Sequence, residues 1–534
     1  MIKSRQPTLL LHNAKILTLN GHFPSASAMA IRDDRIVGVG NTTEWISSFP
    51  SEIERIDLDQ RCILPGFTDS HIHMSKYAQS INMIDCETSS INECLKRVKV
   101  RVAKTAPQHW ILGHGWNQNF WTRYGTSHDL DRISTAHPIY LTAKSLHAGW
   151  ANSKVLQLAG INSSTPDPAG GEIQRDSKGN PTGILFENAM RLVAATIPYP
   201  SEVELAELIL TAQENLWVMG LTGVHDFDGP DCFRAYQRLQ RRGQLGLRVL
   251  KNIPVDKLSE ALAIGLAPGF GNSMLQFGNI KIFSDGALGP RTAAMLETYV
   301  GEENNLGMLL LDDEQITALG LRAAQAGFGL TIHAIGDRAN HVVLNAYDAL
   351  RKAEAALGLP KLRHRIEHLQ LVHPQDINRT AALNIIASMQ PIHAISDMEM
   401  ADRFWGDRSN LSYAWNSLLN SGAVLAFGSD APVESPNPFL GISAAVTRKK
   451  VGQKDGGEGW IPKEKITLAE AISAYTFGPA YASYREHELG KIEPGYYADL
   501  IVLEENPFDV DPNHLYRIQP CATMVAGQWR YRTF

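Results

Sequence analysis

Cysteine is scarce and unpatterned here: Cys62, Cys86, Cys94, Cys232 and Cys521 are all that 534 residues contain. They are odd in number and form no Cys-x-x-Cys pair, which excludes a disulfide framework and a zinc ribbon and suits a reducing compartment. Long apolar runs are missing too, since no stretch reaches the roughly 18 residues of a membrane helix. The N-terminus carries two basic residues but only a three-leucine run, too short for a signal-peptide core, so a cytoplasmic protein that does not enter a membrane is expected. No run of Lys or Arg stands out against the net charge of -6, which excludes a basic face for nucleic acid. The expected partner is a small-molecule substrate, with a homodimer left open. Repeats and low-complexity tracts are absent.

What is present is a large core. Hydrophobic residues make up 44% and charged residues 20%, the balance of a soluble globular protein of two or three domains. One stretch organises the rest, Ile63 to His73, an apolar strand ending in two histidines. Alternation along a strand turns His71 and His73 to one face, where both could hold one ion. His-x-His alone has a plainer reading, two histidines on a solvated surface. Later apolar runs end the same way: Gly327 to His333, Arg365 to His368, and Val424 to Asp430.

Strand-like runs alternate with amphipathic helices, which predicts βα units and a parallel sheet. Eight strands are expected at Ile63 to His73, Leu221 to Asp226, Leu247 to Ile253, Asn279 to Asp285, Gly329 to His333, Leu362 to His368, Ile385 to Gln390 and Val424 to Asp430. That number predicts an α/β fold, a (β/α)8 TIM barrel, with its chemistry at the C-terminal strand ends. His333 and His368 lie 35 positions apart, one unit at about 30 to 40 residues each. Short β-like runs before residue 62 and after residue 488 are expected to join in one small β-sandwich, leaving 63–487 as the barrel. The gap from His73 to Leu221 is too long for one helix, so an inserted subdomain after strand 1, residues 76–200, is expected. It would act as a lid or specificity wall, or be a folded decoration.

Lys281 sits inside the apolar run Asn279 to Phe283. A buried ammonium must find a partner or lose its charge; the plain reading is an ion pair with Asp285 or a neighbour. The set His71, His73, Lys281, His333, His368 and Asp430, with the lead-in Leu64-Pro65-Gly66-Phe67-Thr68-Asp69-Ser70, resembles the amidohydrolase superfamily. More narrowly, Gly113-x-Gly-Trp116, Ser284-Asp285-Gly286-Ala287-Leu288-Gly289-x-Arg291, Ile332 to Asp337 and Arg365 to His368 are similar to the YtcJ-like subgroup, amidohydrolase family 3, that contains N-substituted formamide deformylase.

The resemblance implies a metal-dependent hydrolase of carbon-nitrogen bonds other than peptide bonds, cleaving an amide, N-acyl or N-formyl bond through a metal-bound hydroxide. It implies two divalent ions bridged by Lys281 carboxylated by CO2, with His71, His73 and Asp430 on one ion and His333 and His368 on the other. Zinc is the first expectation; iron, manganese or nickel suit the same donors. Asp430 and Lys281 would be the catalytic residues, Asp430 carrying the water's proton to the leaving amine. A helix N-cap is the plainer role for Asp430. His364, His373 and His393 are alternative ligands. Asp69 and Glu367 are expected to orient imidazoles, and His114, Trp116, His147 and Arg291 to contact substrate, each with a structural role as the alternative. Two other readings compete: a mononuclear aromatic deaminase, weakened because no glutamate follows His333, and a non-catalytic scaffold.

Overall fold

Gly66 separates two strands that the sequence runs together. Cys62–Pro65 belongs to one sheet and Phe67–Ile72 to another. At Gly66 the backbone passes so close to Thr222 that a Cβ would stand 2.2 Å from its methyl carbon. In this computed structural model, residues 8–534 are described except 23, 43, 44, 46–48, 50–52, 118–120, 122, 144–147 and 454–456. The chain divides into two compact units, Met1–Tyr77 with Ile209–Phe534, and Ala78–Leu208.

In the first unit, Cys62–Pro65 pairs antiparallel with Leu500–Leu503, Leu64 opposite Ile501, so the two chain ends share a sheet. That six-stranded sheet runs Gln528–Arg532, Pro520–Val525, Leu500–Leu503, Cys62–Pro65, Lys15–Leu17, Ser25–Ala26. A four-stranded sheet runs Arg35–Gly40, Ala28–Arg32, Leu9–His12, Glu54–Asp57. Leu9, Leu11, Met29 and Ile31 of the smaller sheet share one hydrophobic cluster with Ile16, Ile63, Leu500, Val502 and Met524 of the larger. Neither terminal segment has enough apolar surface to fold alone; together they bury a common core. The N-terminal share of the sandwich thus runs to Pro65 rather than stopping at residue 62.

The barrel follows. Its strands are β1 (Phe67–Ile72), β2 (Leu221–Asp226), β3 (Arg248–Pro254), β4 (Leu275–Phe283), β5 (Leu330–Ala334), β6 (Arg365–His368), β7 (Ile386–Met389) and β8 (Leu425–Phe427). All are parallel and each pairs with the next in chain order. Closure comes just past the strands, where His73 N donates to Ala431 O at 3.0 Å and Asp430 N to His71 O at 2.7 Å. β2 and β5 are buried along their whole length, as parallel strands covered on both faces must be. Helices between them begin where the sequence says they should: Pro230, Pro374, Pro391 and Pro438 each occupy a first turn, and Asp312 with Gln315 forms a capping box for Asp313–Ala324.

The second unit, Ala78–Leu208, starts and ends a little later than the expected 76–200. Its mixed sheet runs Gly171–Arg175, Pro181–Glu187, Ala148–Ala151, Ile139–Ala143, Ile111–Trp116, Ile84–Asp85. Trp116, Trp121, Trp150, Ile111 and Leu141 pack in one core there. Among the described residues, no helix is long and apolar enough to cross a membrane.

Candidate metal centre

Four imidazoles, one carboxylate and one amine meet at the C-terminal ends of the barrel strands. Along them the ring centroids step from His73 to His71 at 5.7 Å, to His368 at 5.0 Å and to His333 at 4.5 Å. Asp430 Oδ1 stands 3.6 Å from His71 Nε2 and 3.4 Å from His73 Nε2. His71, His368 and Asp430 offer one donor atom each within 4.8 Å of one another, a spacing that suits a single ion. Gly428 makes this possible, because a Cβ there would lie 2.5 Å from His71 N and hold β8 off β1. His368 and Asp430 both take left-handed backbone, φ +74° and +58°. Such strain costs about 1 to 3 kcal/mol per residue and collects at functional sites.

Each histidine has one ring nitrogen tied to an acceptor. His71 Nδ1 lies 2.6 Å from Glu367, His73 Nδ1 2.9 Å from Asp228, and His368 Nδ1 2.8 Å from Gln390 Oε1. His333 is reversed, with Nε2 2.9 Å from Gly286 O. Acceptors at those positions place the proton there. The other nitrogen, Nε2 in three rings and Nδ1 in His333, keeps a lone pair for a metal. Burial first, then the charge of neighbours, keeps three of the rings neutral: His71 and His368 are held far below the usual imidazole range and His333 falls to about 3. Burial works to raise the Glu367 carboxyl, but Arg365 and Lys281 outweigh it and hold it below its ordinary value.

Lys281 is 3% exposed, and its ammonium has no hydrogen-bond partner. It lies 4.9 Å from the ring centre of Phe227 and 4.6 Å from that of Phe283. Burial pushes it down to about 8. The ion pair with Asp285 does not form: that carboxylate accepts from the backbone N–H of Ala294, Ile335 and Gly336, at 3.0, 3.0 and 2.9 Å. Asp430 Oδ1 likewise lacks a hydrogen bond. Buried polar atoms are nearly always satisfied, so two orphans of opposite charge amid free imidazole lone pairs fit a cation-binding centre. A lysine ammonium would repel such cations, whereas its carbamate would attract them.

The remaining expected residues divide. Asp69 touches no imidazole; it accepts from the backbone N–H of His71 and Ser429, both at 3.0 Å, and so clamps β1 to the turn before Asp430. Trp116 is a core residue of the inserted unit, its indole N–H donating to Leu141 O at 2.8 Å. In the same unit His114 Nδ1 bonds Thr142 Oγ1 at 2.9 Å, and His147 lies outside the described residues. Arg291 ion-pairs with Glu302 and faces the Phe404 ring. His364 is structural, wedged between Leu330 N and Glu354, and His373 caps a helix. His393 does join the group, stacked 6.3 Å from His368. Asp228, Gln390 and Phe227, whose ring stacks on His71 at 4.0 Å, were not anticipated. The only local signal was that Asp226-Phe227-Asp228 and Gln390 end strands on the chemical face.

Comparison with known proteins agrees with this geometry. The amidohydrolase family profile matches residues 54–531. The amidohydrolase YtcJ of Bacillus subtilis is 34% identical over 97% of this chain and 98% of its own. N-substituted formamide deformylase of Arthrobacter pascens is 29% identical over 98% of each chain. The solved structure of an uncharacterized metal-dependent hydrolase from Pyrococcus furiosus superposes with a TM-score of 0.78 at 28% identity, covering 93% of this chain and 99% of that one. With the barrel and all six candidate ligands inside the matched region, this chain belongs to the amidohydrolase family.

Proposed function

We propose that this hydrolase cleaves the C–N bond of an N-acyl or N-formyl amine, using two divalent ions with Lys281 carboxylated between them. The observation that carries the reading is the buried, unpartnered Nζ of Lys281 at the site where four imidazoles and Asp430 converge. Near neutrality an amine held at about 8 keeps an uncharged fraction that can add CO2. His71, His73 and Asp430 would hold one ion, and His333 and His368 the other. Bound there, the ions would supply an acidified water, its pKa brought from about 15.7 toward neutrality, and polarise the scissile carbonyl.

The chain's own part is proton transfer. Asp430 Oδ1, free of protein hydrogen bonds, takes the proton of the attacking water and delivers it to the leaving nitrogen, so that an acid and an amine result. Burial raises this carboxyl above its ordinary range and favours its acting as a base. Asp69 holds the backbone on both sides of the transfer in place.

The close grouping of His71, His368 and Asp430 favours one other reading, a mononuclear deaminase. Asp337, the nearest acid after His333 in the chain, accepts from Leu296 N and Arg338 N instead of facing a substrate. Metal content, the mass of the Lys281 side chain and turnover of a panel of N-acyl and N-formyl amines test the proposal together. Two equivalents, a carboxylated lysine and amine release are expected. One equivalent with an unmodified amine and ammonia release from an aromatic ring would overturn it.

A further inference from the structure

We infer that Asp228 and Lys251 are positioning residues for the cation at His71, His73 and Asp430; the inference rests on the metal reading above. His73 lies beyond the end of β1, so no strand ladder fixes its ring. Asp228 does. One carboxylate oxygen accepts from His73 Nδ1 at 2.9 Å, and the other takes the Ser75 hydroxyl at 2.6 Å and the Ser75 N–H. Asp228 in turn lies past the end of β2 and is held from β3. The buried ammonium of Lys251 donates to the Asp228 carbonyl and to Asn252 O at 3.0 Å, and pairs with Asp226 Oδ2 at 2.8 Å. Asp226 Oδ1 accepts from Met74 N at 3.1 Å.

One ammonium therefore gathers the ends of β2 and β3, and through two carboxylates it reaches Met74 and Ser75, the residues that follow His73. Asp226, Asp228 and Cys232 lie close enough to suggest a further cation site. Lys251 already supplies the positive charge there, so the cluster serves the neighbouring imidazole rather than an ion of its own. Loss of this support leaves every metal donor in the chain but frees one ring to turn, which costs affinity through disorder rather than through a missing ligand.

The test is zinc binding by the metal-free, full-length protein in competition with a chromogenic chelator, a readout independent of turnover. Asp228→Ala and Lys251→Met should each weaken zinc binding by about 10 to 100-fold. Asp228→Asn, which keeps the shape and an acceptor for Nδ1–H, should fall between these and the parent, with thermal unfolding of the metal-free protein little changed. It carries the test if the other variants fail to fold. Where two equivalents bind, only one should weaken. Parental zinc affinity in Asp228→Ala or Asp228→Asn overturns the inference and leaves the metal reading standing. A parent protein that binds no zinc overturns both.

Discussion

His71 Nδ1 lies 2.6 Å from Oε2 of Glu367, and both side chains are buried, so an imidazole on β1 is braced by an acid on β6. The acid is itself anchored, its other oxygen 2.9 Å from Arg365 Nε. Glu367→Ala would leave a buried guanidinium without its carboxylate, a loss on the order of 3 to 5 kcal/mol. Glu367→Gln keeps the shape and one acceptor oxygen while its NH2 replaces the other, and should bind metal about 10 to 100-fold more weakly. Urea unfolding and chelator competition on the two variants separate these effects.

Asp430→Asn should retain most metal binding, because the amide oxygen can still approach an ion, while losing the ability to take a proton. Turnover is expected to fall by about 10² to 10⁴-fold. Parental turnover in metal-loaded Asp430→Asn would refute the proton-transfer role.

His333 gives the metal-free protein a defined response to acid. Burial, then Lys281, lowers its pKa from 6.5 to about 3. Between those values the unfolded chain takes up a proton that the folded protein refuses, so this contribution is whole above pH 6.5 and drains away as pH falls toward 3. Asp69 and Asp285, raised to about 7 by burial, act in the opposite sense: they favour the fold at low pH, and that favour fades as pH rises toward 7. Comparing wild type with His333→Asn cancels these background groups. The stability of wild type relative to the variant should decline from pH 7 to pH 4 in urea titrations; a constant difference would contradict the buried, neutral ring.

Trp116 packs in the inserted unit's core, so Trp116→Ala should cost about 3 to 5 kcal/mol. Far-UV circular dichroism during thermal unfolding would register the loss. A variant as stable as the parent would return this indole to the list of substrate contacts.

The barrel was legible because its signals are local. Most strands are short apolar runs with a polar residue at or beside their C-terminal end, and the expected Leu221 to Asp226 agrees residue for residue with β2. His71, His73, His333, His368 and Asp430 could be nominated for the same reason: each stands at or just past a strand end, and in a (β/α)8 fold those ends converge. The reading slipped at Pro65-Gly66, where the break marks the chain leaving the preceding segment but an apolar run does not say which sheet it enters. Trp116 lies in a core, and an aromatic beside glycines has the same appearance in sequence whether it lines a pocket or a core.

Residue order alone determined the succession of strands and helices, the placing of candidate ligands at strand ends and the family to which the chain belongs, all of which follow from periodicity and short motifs. Tertiary structure decided the rest: that Glu367 braces a ring 296 positions away and Asp228 one 155 positions away, that Asp285 turns to backbone amides, and that Lys281 is left without a partner. Those outcomes depend on which distant segments barrel closure brings within hydrogen-bond reach, a distance through space that no local pattern encodes.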